Sequence, residues 1–205
     1  MDGTLLDLHF DNHFWQQHVP LRYAEARGLP QAAAREALMA RFHARAGTLD
    51  WYSVDYWSTE LELDIMQLKE EVAHLIAVHP HVVDFLTAIR LVGKRVVLVT
   101  NAHHKSLTLK MARTGLQGYF DDLITSHEIG LPKEDPAFWE RLRGRMPFEP
   151  ATTMLVEDSL PVLDSASSYG ISQLVAVRLP DSRRPHKDTG AYVSIDDFSE
   201  LIPAV

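Results

Sequence analysis

Cysteine is absent from the 205 residues, which excludes a disulfide framework, a thiolate nucleophile and a cysteine-based zinc site. That absence permits a reducing compartment without establishing one. No run approaches the roughly 18 to 20 apolar residues that a membrane span needs, and the start, MDGTLLDLHF, has neither a basic segment nor a secretory apolar run. The expectation is a cytoplasmic protein with no membrane partner. Basic residues are scarce as well, since 20 lysines and arginines against 28 acidic residues leave a net charge of −8. This disfavours a nucleic-acid polymer as partner, because such surfaces are usually basic. An acidic protein that handles an anion must instead focus positive charge locally, through a lysine or a metal ion. The one basic stretch, Arg183, Arg184, His186 and Lys187, is short and proline-interrupted. It fits a solvated loop, with a weak phosphate or partner contact as the alternative. There is no internal repeat and no low-complexity tract.

What is present is an ordinary globular composition, 46% hydrophobic, 23% charged and 9% aromatic. The length suits one core carrying a smaller inserted unit, as a monomer or weak dimer. From about Arg95 onward, β-branched runs alternate with helical patterns. The strand-like runs are Arg95–Thr100, Asp121–Ser126, Thr152–Glu157 and Gln173–Val177, and three are almost continuously apolar. Helices are predicted at about Lys105–Thr114, Pro136–Arg145 and Leu160–Tyr169, with Gly115 and Gly170 as C-caps. Such alternation implies an α/β, Rossmann-like parallel sheet with helices on both faces. Residues 11–77 lack strand-like runs and space their apolar residues helically, which predicts an all-helical unit of about four helices. Breaks are placed near Gly28–Pro30, Gly47–Asp50 and Leu63–Asp64. Residues 1–10 and 78–205 then form the core, with 11–77 inserted.

Open parallel sheets carry function at the carboxyl ends of their strands. Thr100 and Asn101 follow the first run, Lys133 follows the second after a loop, Glu157 and Asp158 end the third, and Asp2 stands at the start. Singly, each has a structural explanation: a turn at Asp2, strand-end satisfaction at Thr100 and Asn101, a solvated Lys133, an N-cap at Asp158 and Ser159. Together they suit phosphoryl transfer. A dianionic phosphate attacked by a carboxylate needs its charge offset by a cation and by fixed donors. Asp158 and Glu157 are hard oxygen ligands for magnesium. Asp2 can protonate a leaving alkoxide and later activate water.

The ordered segments DGTLLD, VTN, PK and VEDS resemble the four signature motifs of haloacid dehalogenase-like phosphatases, over essentially the whole chain. The resemblance implies that Asp2 is the acid-base residue, Thr100 the phosphate-binding hydroxyl, Lys133 the charge-neutralising lysine and Asp158 the main metal ligand, with Glu157 and Asp2 assisting the metal. It implies Mg²⁺ as cofactor, a small-molecule phosphate monoester as substrate, and a helical cap in residues 11–77. The family pattern, Asp-x-Asp-Gly-Thr, places the nucleophile two positions before Asp2, ahead of Met1, at the end of a central apolar strand. A chain that starts at Met1 is therefore expected to be inactive, with β-strand edges left unpaired where that strand belongs. The segments FDNHFWQ, TLDWYSVDYWS, TNAHHKSL and PKEDP further resemble bacterial purine 5'-nucleotidases acting on GMP and IMP. Other phosphatases of small metabolites, such as sugar phosphates or phosphoglycolate, are the alternative. A non-catalytic nucleotide-binding relative is a third reading, and dehalogenation is disfavoured by Asp2.

In the inserted unit, Trp51 and Asp55 are expected to share a helix face four residues apart, as are Tyr52 and Tyr56, so that one face packs into the core while the other meets the cleft. Trp51 and Asp55 are candidate substrate contacts, the ring for a purine face and the carboxylate for ring NH groups or ribose hydroxyls; packing of the rings into the local core is the alternative. Of the 11 histidines, the pairs His79/His81 and His103/His104 lack further ligands at zinc spacing, and one of the latter pair is a candidate to face the leaving group.

Overall fold

A computed structural model describes residues 1–203. After a turn in which Leu6 bridges both to Asp2 and to Val78, one long helical stretch follows. It comprises α1 (His9–His13), a widened π-type turn at Phe14–His18, and α2 (Val19–Arg27). Pro20 lies in the first turn of α2, and a ring without an N–H cannot close the ordinary bond back to Gln16, so the spacing widens there. Then come α3 (Gln31–His43), α4 (Leu49–Tyr52), α5 (Val54–Leu61) and α6 (Ile65–Glu71). Thr48, Ser53 and Asp64 cap the last three by accepting the N–H groups of Trp51, Tyr56 and Gln67. The predicted breaks fall at Gly28, Thr48 and Asp64, and the helices enclose their own apolar cluster around Phe10, Phe14, Phe42, Trp57 and Ile65. Trp57 is 1% exposed, so truncating it to alanine would remove about 3–5 kcal/mol. One local expectation fails. Ser53 is extended, with φ −82° and ψ 116°, so α4 and α5 are separate, and the four-residue spacing of Trp51 to Asp55 and of Tyr52 to Tyr56 spans a break.

The remaining chain alternates as expected: α7 (Val82–Leu91), β1 (Val97–Thr100), α8 (His104–Thr114), β2 (Asp122–Thr125), α9 (Ser126–Ile129), α10 (Pro136–Arg145), β3 (Met154–Glu157), α11 (Leu160–Tyr169), β4 (Gln173–Val177) and β5 (Val193–Ile195). All strand pairs are parallel. Leu98 of β1 packs with Leu107 and Met111 of α8 and Phe85 of α7 on one face. Val97 and Val99 pack on the other, against the cluster of Phe138, Trp139 and Val162 from α10 and α11. The two-residue period thus buries both faces, which is why these strands read as unbroken apolar runs. Gly115 and Gly170 cap α8 and α11 with φ of 69° and 103°, a conformation that favours glycine. The three-residue β5, whose Val193 is 71% exposed, was not anticipated, nor was α7.

The strands form two groups, β1 with β2 and β3 with β4 and β5. Among the described residues β1 and β3 each pair along one edge only. Met1 and Asp2 share one cavity with Thr100 at the end of β1 and Glu157 at the end of β3. No described helix is long and apolar enough to cross a membrane.

Candidate active site

The carboxyl ends of β1 and β3 and the loop before α10 open on a cavity of about 450 Å³. Asp2, Trp51, Thr100, Asn101, Lys133, Glu157 and Asp158 all line it. Asp55 does not: it lies at the rim, where it accepts a 2.5 Å bond from Lys105 Nζ and stands 3.8 Å from His103 Nε2.

Thr100 is buried, and its Oγ1 accepts the Ala102 N–H at 3.1 Å, leaving the hydroxyl proton free to donate into the cavity. Asn101 is committed on both sides of its amide. Its Oδ1 accepts the Lys133 N–H at 2.9 Å, and its Nδ2 donates to Glu134 Oε2 at 2.8 Å. It braces the loop that carries Lys133. Ser165 of α11 holds the same loop by donating to the Lys133 carbonyl at 2.6 Å, and Trp139 Nε1 donates to Ser165 Oγ. Lys133 Nζ is thereby fixed 2.5 Å from Glu157 Oε2. The other Glu157 oxygen accepts the N–H groups of Asp158 and Ser159. Burial alone would raise the Glu157 pKa, but Lys133 outweighs it and pulls it down to about 2. Both oxygens of Glu157 are therefore engaged, and its charge is spent on Lys133.

Asp158 is the opposite case. Burial, then the adjacent Glu157, push its carboxyl up to about 7. Its side-chain partner is the Thr4 hydroxyl, which donates to Oδ1 at 3.1 Å. Gly3 makes the approach feasible: at φ 73° a Cβ there would stand 2.6 Å from Asp158 Cγ. A carboxylate placed in a cavity without a bonded lysine fits a hard divalent cation, which would restore its ordinary ionisation. Among the described residues no group of three or more histidine, aspartate or glutamate side chains is gathered for a metal. A cation here would rest on Asp158 and Asp2 and keep much of its water, as magnesium does. Lys187 donates to the Asp158 carbonyl at 2.7 Å, and Arg184 to Gln16 Oε1 at 2.8 Å. Part of the basic loop thus braces the site rather than lying free in solvent.

Three lysines in this cavity, Lys69, Lys110 and Lys133, are at most 4% exposed, so positive charge is focused locally in an acidic chain. Lys110 of α8 donates to Asp2 Oδ1 at 2.7 Å and to Asp11 Oδ2 at 2.6 Å. Burial opposes its charge, but the two carboxylates outweigh burial and hold its pKa above the usual lysine value. Lys69 of α6 meets the other Asp11 oxygen at 3.4 Å. Neither lysine was singled out from the sequence, although each sits on the apolar stripe of its helix, Lys69 beside Ile65 and Leu68, Lys110 beside Leu107 and Met111. That position is the available signal. The helical unit adds Trp15, Phe42 and Trp51 to the wall. It also reaches the core through Tyr52, whose hydroxyl donates to Glu134 Oε1 at 2.5 Å. His103 lines the cavity with its ring 4.1 Å from that of His104; burial, then His104 and His127, push its pKa down to about 4, so it is neutral at pH 7. His79 and His81 are spent elsewhere, on the Pro180 carbonyl and on Asp84.

The chain resembles several known proteins in sequence and fold. The chain is 37% identical, over all of its length and 92% of the relative's, to the GMP/IMP nucleotidase YrfG of Escherichia coli (strain K12). It is 29% identical over 135 residues, 62% of this chain and 58% of the relative, to a glyceraldehyde 3-phosphate phosphatase of Methanothermobacter thermautotrophicus. The solved structure of a HAD phosphatase from Thermococcus onnurineus superposes with a TM-score of 0.80 at 25% identity, covering 98% of this chain and 93% of that one. A family model for the haloacid dehalogenase-like hydrolases matches residues 1–170, and the chain belongs to that family of hydrolases.

Proposed function

We propose that this chain supplies the substrate site of a hydrolase acting on purine nucleoside 5'-monophosphates of the GMP and IMP type, with Mg²⁺ and through an aspartyl-phosphate. The supporting observation is the convergence of Asp2, Thr100, Lys133 and Asp158 on one cavity, under an aromatic wall suited to a base. In this scheme the Thr100 hydroxyl and Lys133 ammonium bind phosphoryl oxygens. A carboxylate two positions before Asp2 attacks phosphorus as the bond to the leaving oxygen breaks, and Asp2 protonates that oxygen. Asp2 then takes a proton from water, which attacks the acyl phosphate and releases inorganic phosphate. Magnesium, held by Asp158 and Asp2, would offset the negative charge that collects on the phosphoryl group. For Glu157 to join them, it would have to give up Lys133 or the two N–H groups it accepts; its assignment here is to set the position and charge of Lys133.

The similarity to the glyceraldehyde 3-phosphate phosphatase supports the broader alternative, a phosphatase of another small metabolite. The aromatic wall of Trp15, Phe42 and Trp51, whose rings meet edge to face, favours the nucleotide. We also keep the expectation of a cytoplasmic monomer or weak dimer. The test is phosphate release from IMP, GMP, AMP, ribose 5-phosphate and phosphoglycolate, with magnesium and with a chelator, by the chain from Met1 and by one extended upstream. Magnesium-dependent turnover of IMP and GMP by the extended chain is the expected result. Undiminished turnover in chelator, or a preference for phosphoglycolate, would overturn it.

A further inference from the structure

The three lysines of the cavity differ in how they are held. Lys133 lies 2.5 Å from Glu157, and Lys110 lies 2.7 and 2.6 Å from Asp2 and Asp11. Among the described residues Lys69 has a single protein acceptor, Asp11, at 3.4 Å, and that same carboxylate is already bound more closely by Lys110. An ammonium has three N–H donors, so a 2% exposed lysine with one long bond retains unused hydrogen-bonding capacity inside a substrate cavity. Its other neighbours are ring faces, Phe14 at 4.4 Å, Phe10 at 5.1 Å and Trp15 at 5.6 Å from Nζ. These stabilise the charge but accept no conventional hydrogen bond. Burial pulls its pKa down to about 8 against the pull of Asp11, so most of it is charged at pH 7.

Position adds to this. Lys69 belongs to the helical unit, as do Phe42 and Trp51 on the same cavity wall. It is separated from Asp2 by the links Asp11 and Lys110, so it stands back from the group that would act on the ester oxygen. A cation beside an aromatic wall and away from the reacting bond is placed to meet the leaving group, not the phosphate. A 6-oxopurine presents two adjacent acceptors, O6 and N7, which lysine pairs with well; adenine replaces O6 with an amino donor that a cation opposes.

We propose that Lys69 reads the O6/N7 edge of a 6-oxopurine and so sets a preference for 6-oxo over 6-amino nucleotides. This rests on the nucleotide function proposed above. The test is equilibrium titration of the full chain, in chelator, with IMP, AMP and ribose 5-phosphate, followed by quenching of tryptophan fluorescence, since Trp15 and Trp51 line the cavity. The wild type should bind IMP more tightly than AMP by on the order of tenfold. Lys69→Met should bring the two within about twofold while leaving ribose 5-phosphate unchanged, and Lys69→Arg, which keeps the charge, should retain the preference. A Lys69→Met variant that keeps the preference overturns the assignment and leaves the nucleotide function standing, as does a wild type that binds both nucleotides more tightly than ribose 5-phosphate without discriminating them. Ribose 5-phosphate bound as tightly as IMP, or no binding of any of the three, would remove both.

Discussion

Replacing Asp158 with asparagine is expected to make the metal-free protein more stable, even as it removes the proposed cation ligand. Burial and the neighbouring Glu157 hold the Asp158 carboxyl at about 7, against an ordinary 3.8. A shift of roughly 3 units corresponds to about 4 kcal/mol. Asp158 keeps part of its surface open to the cavity, so solvent screening reduces the effect, and about 2 kcal/mol is a fair expectation. The sign follows from proton uptake. Between pH 4 and 7 the folded state holds a proton that the unfolded state has lost, so this group's contribution becomes more destabilising as pH rises and reaches its full cost above about 7. Asparagine carries no such penalty. Urea denaturation in chelator at pH 8 should show Asp158→Asn more stable than wild type by about 2 kcal/mol, with the gap closing toward pH 4. Added magnesium should stabilise the wild type and not the variant. A variant that is equally stable or weaker at pH 8 in chelator would contradict the claim that Asp158 is a strained, cation-seeking carboxylate.

Lys133→Met leaves Glu157 buried without its cation, and urea denaturation at pH 7 should show a loss of about 3–5 kcal/mol; adding Glu157→Gln should recover most of it in a double-mutant cycle. Tyr52→Phe removes a bond to a charged acceptor, worth about 1.5–3 kcal/mol. Hydrogen exchange should accelerate in residues 49–61 and stay unchanged in α10. His103 is held at about 4, below its ordinary 6.5, so its contribution to stability is complete above pH 6.5 and is lost as pH falls toward 4. His103→Gln should flatten the stability profile in that window, read by thermal melts at half-unit steps.

Much of the scaffold was legible because its signals are local. Pro136 to Arg145 and Leu160 to Tyr169 form helices with the predicted bounds, and Gln173 to Val177 is a strand as read. The two helices are bounded by a capping residue, Asp135 before Pro136 and Gly170 after Tyr169, and the strand is a short apolar run. The shared helix face of Trp51 and Asp55 fails because one residue in extended conformation, Ser53, breaks a stretch whose side-chain spacing looks continuous. Of the site, the residues that follow strands were visible, since the end of an apolar run is itself a marker. Lys69, Lys110, Asp11 and Glu134 were not. Their partners lie between 33 and 108 residues away along the chain, and a helical lysine defaults to solvent unless its place on an apolar stripe is weighed. Asp55, paired with Lys105, stands at the rim rather than among the residues that line the cavity.

A crystal structure grown with inorganic phosphate and magnesium offers the sharpest single measurement. Phosphate oxygens should lie within hydrogen-bond distance of Thr100 Oγ1 and Lys133 Nζ, with the cation on an Asp158 oxygen. Phosphate and cation found apart, or bound away from the cavity that Asp2 lines, would show that these four residues do not form one phosphoryl-transfer centre.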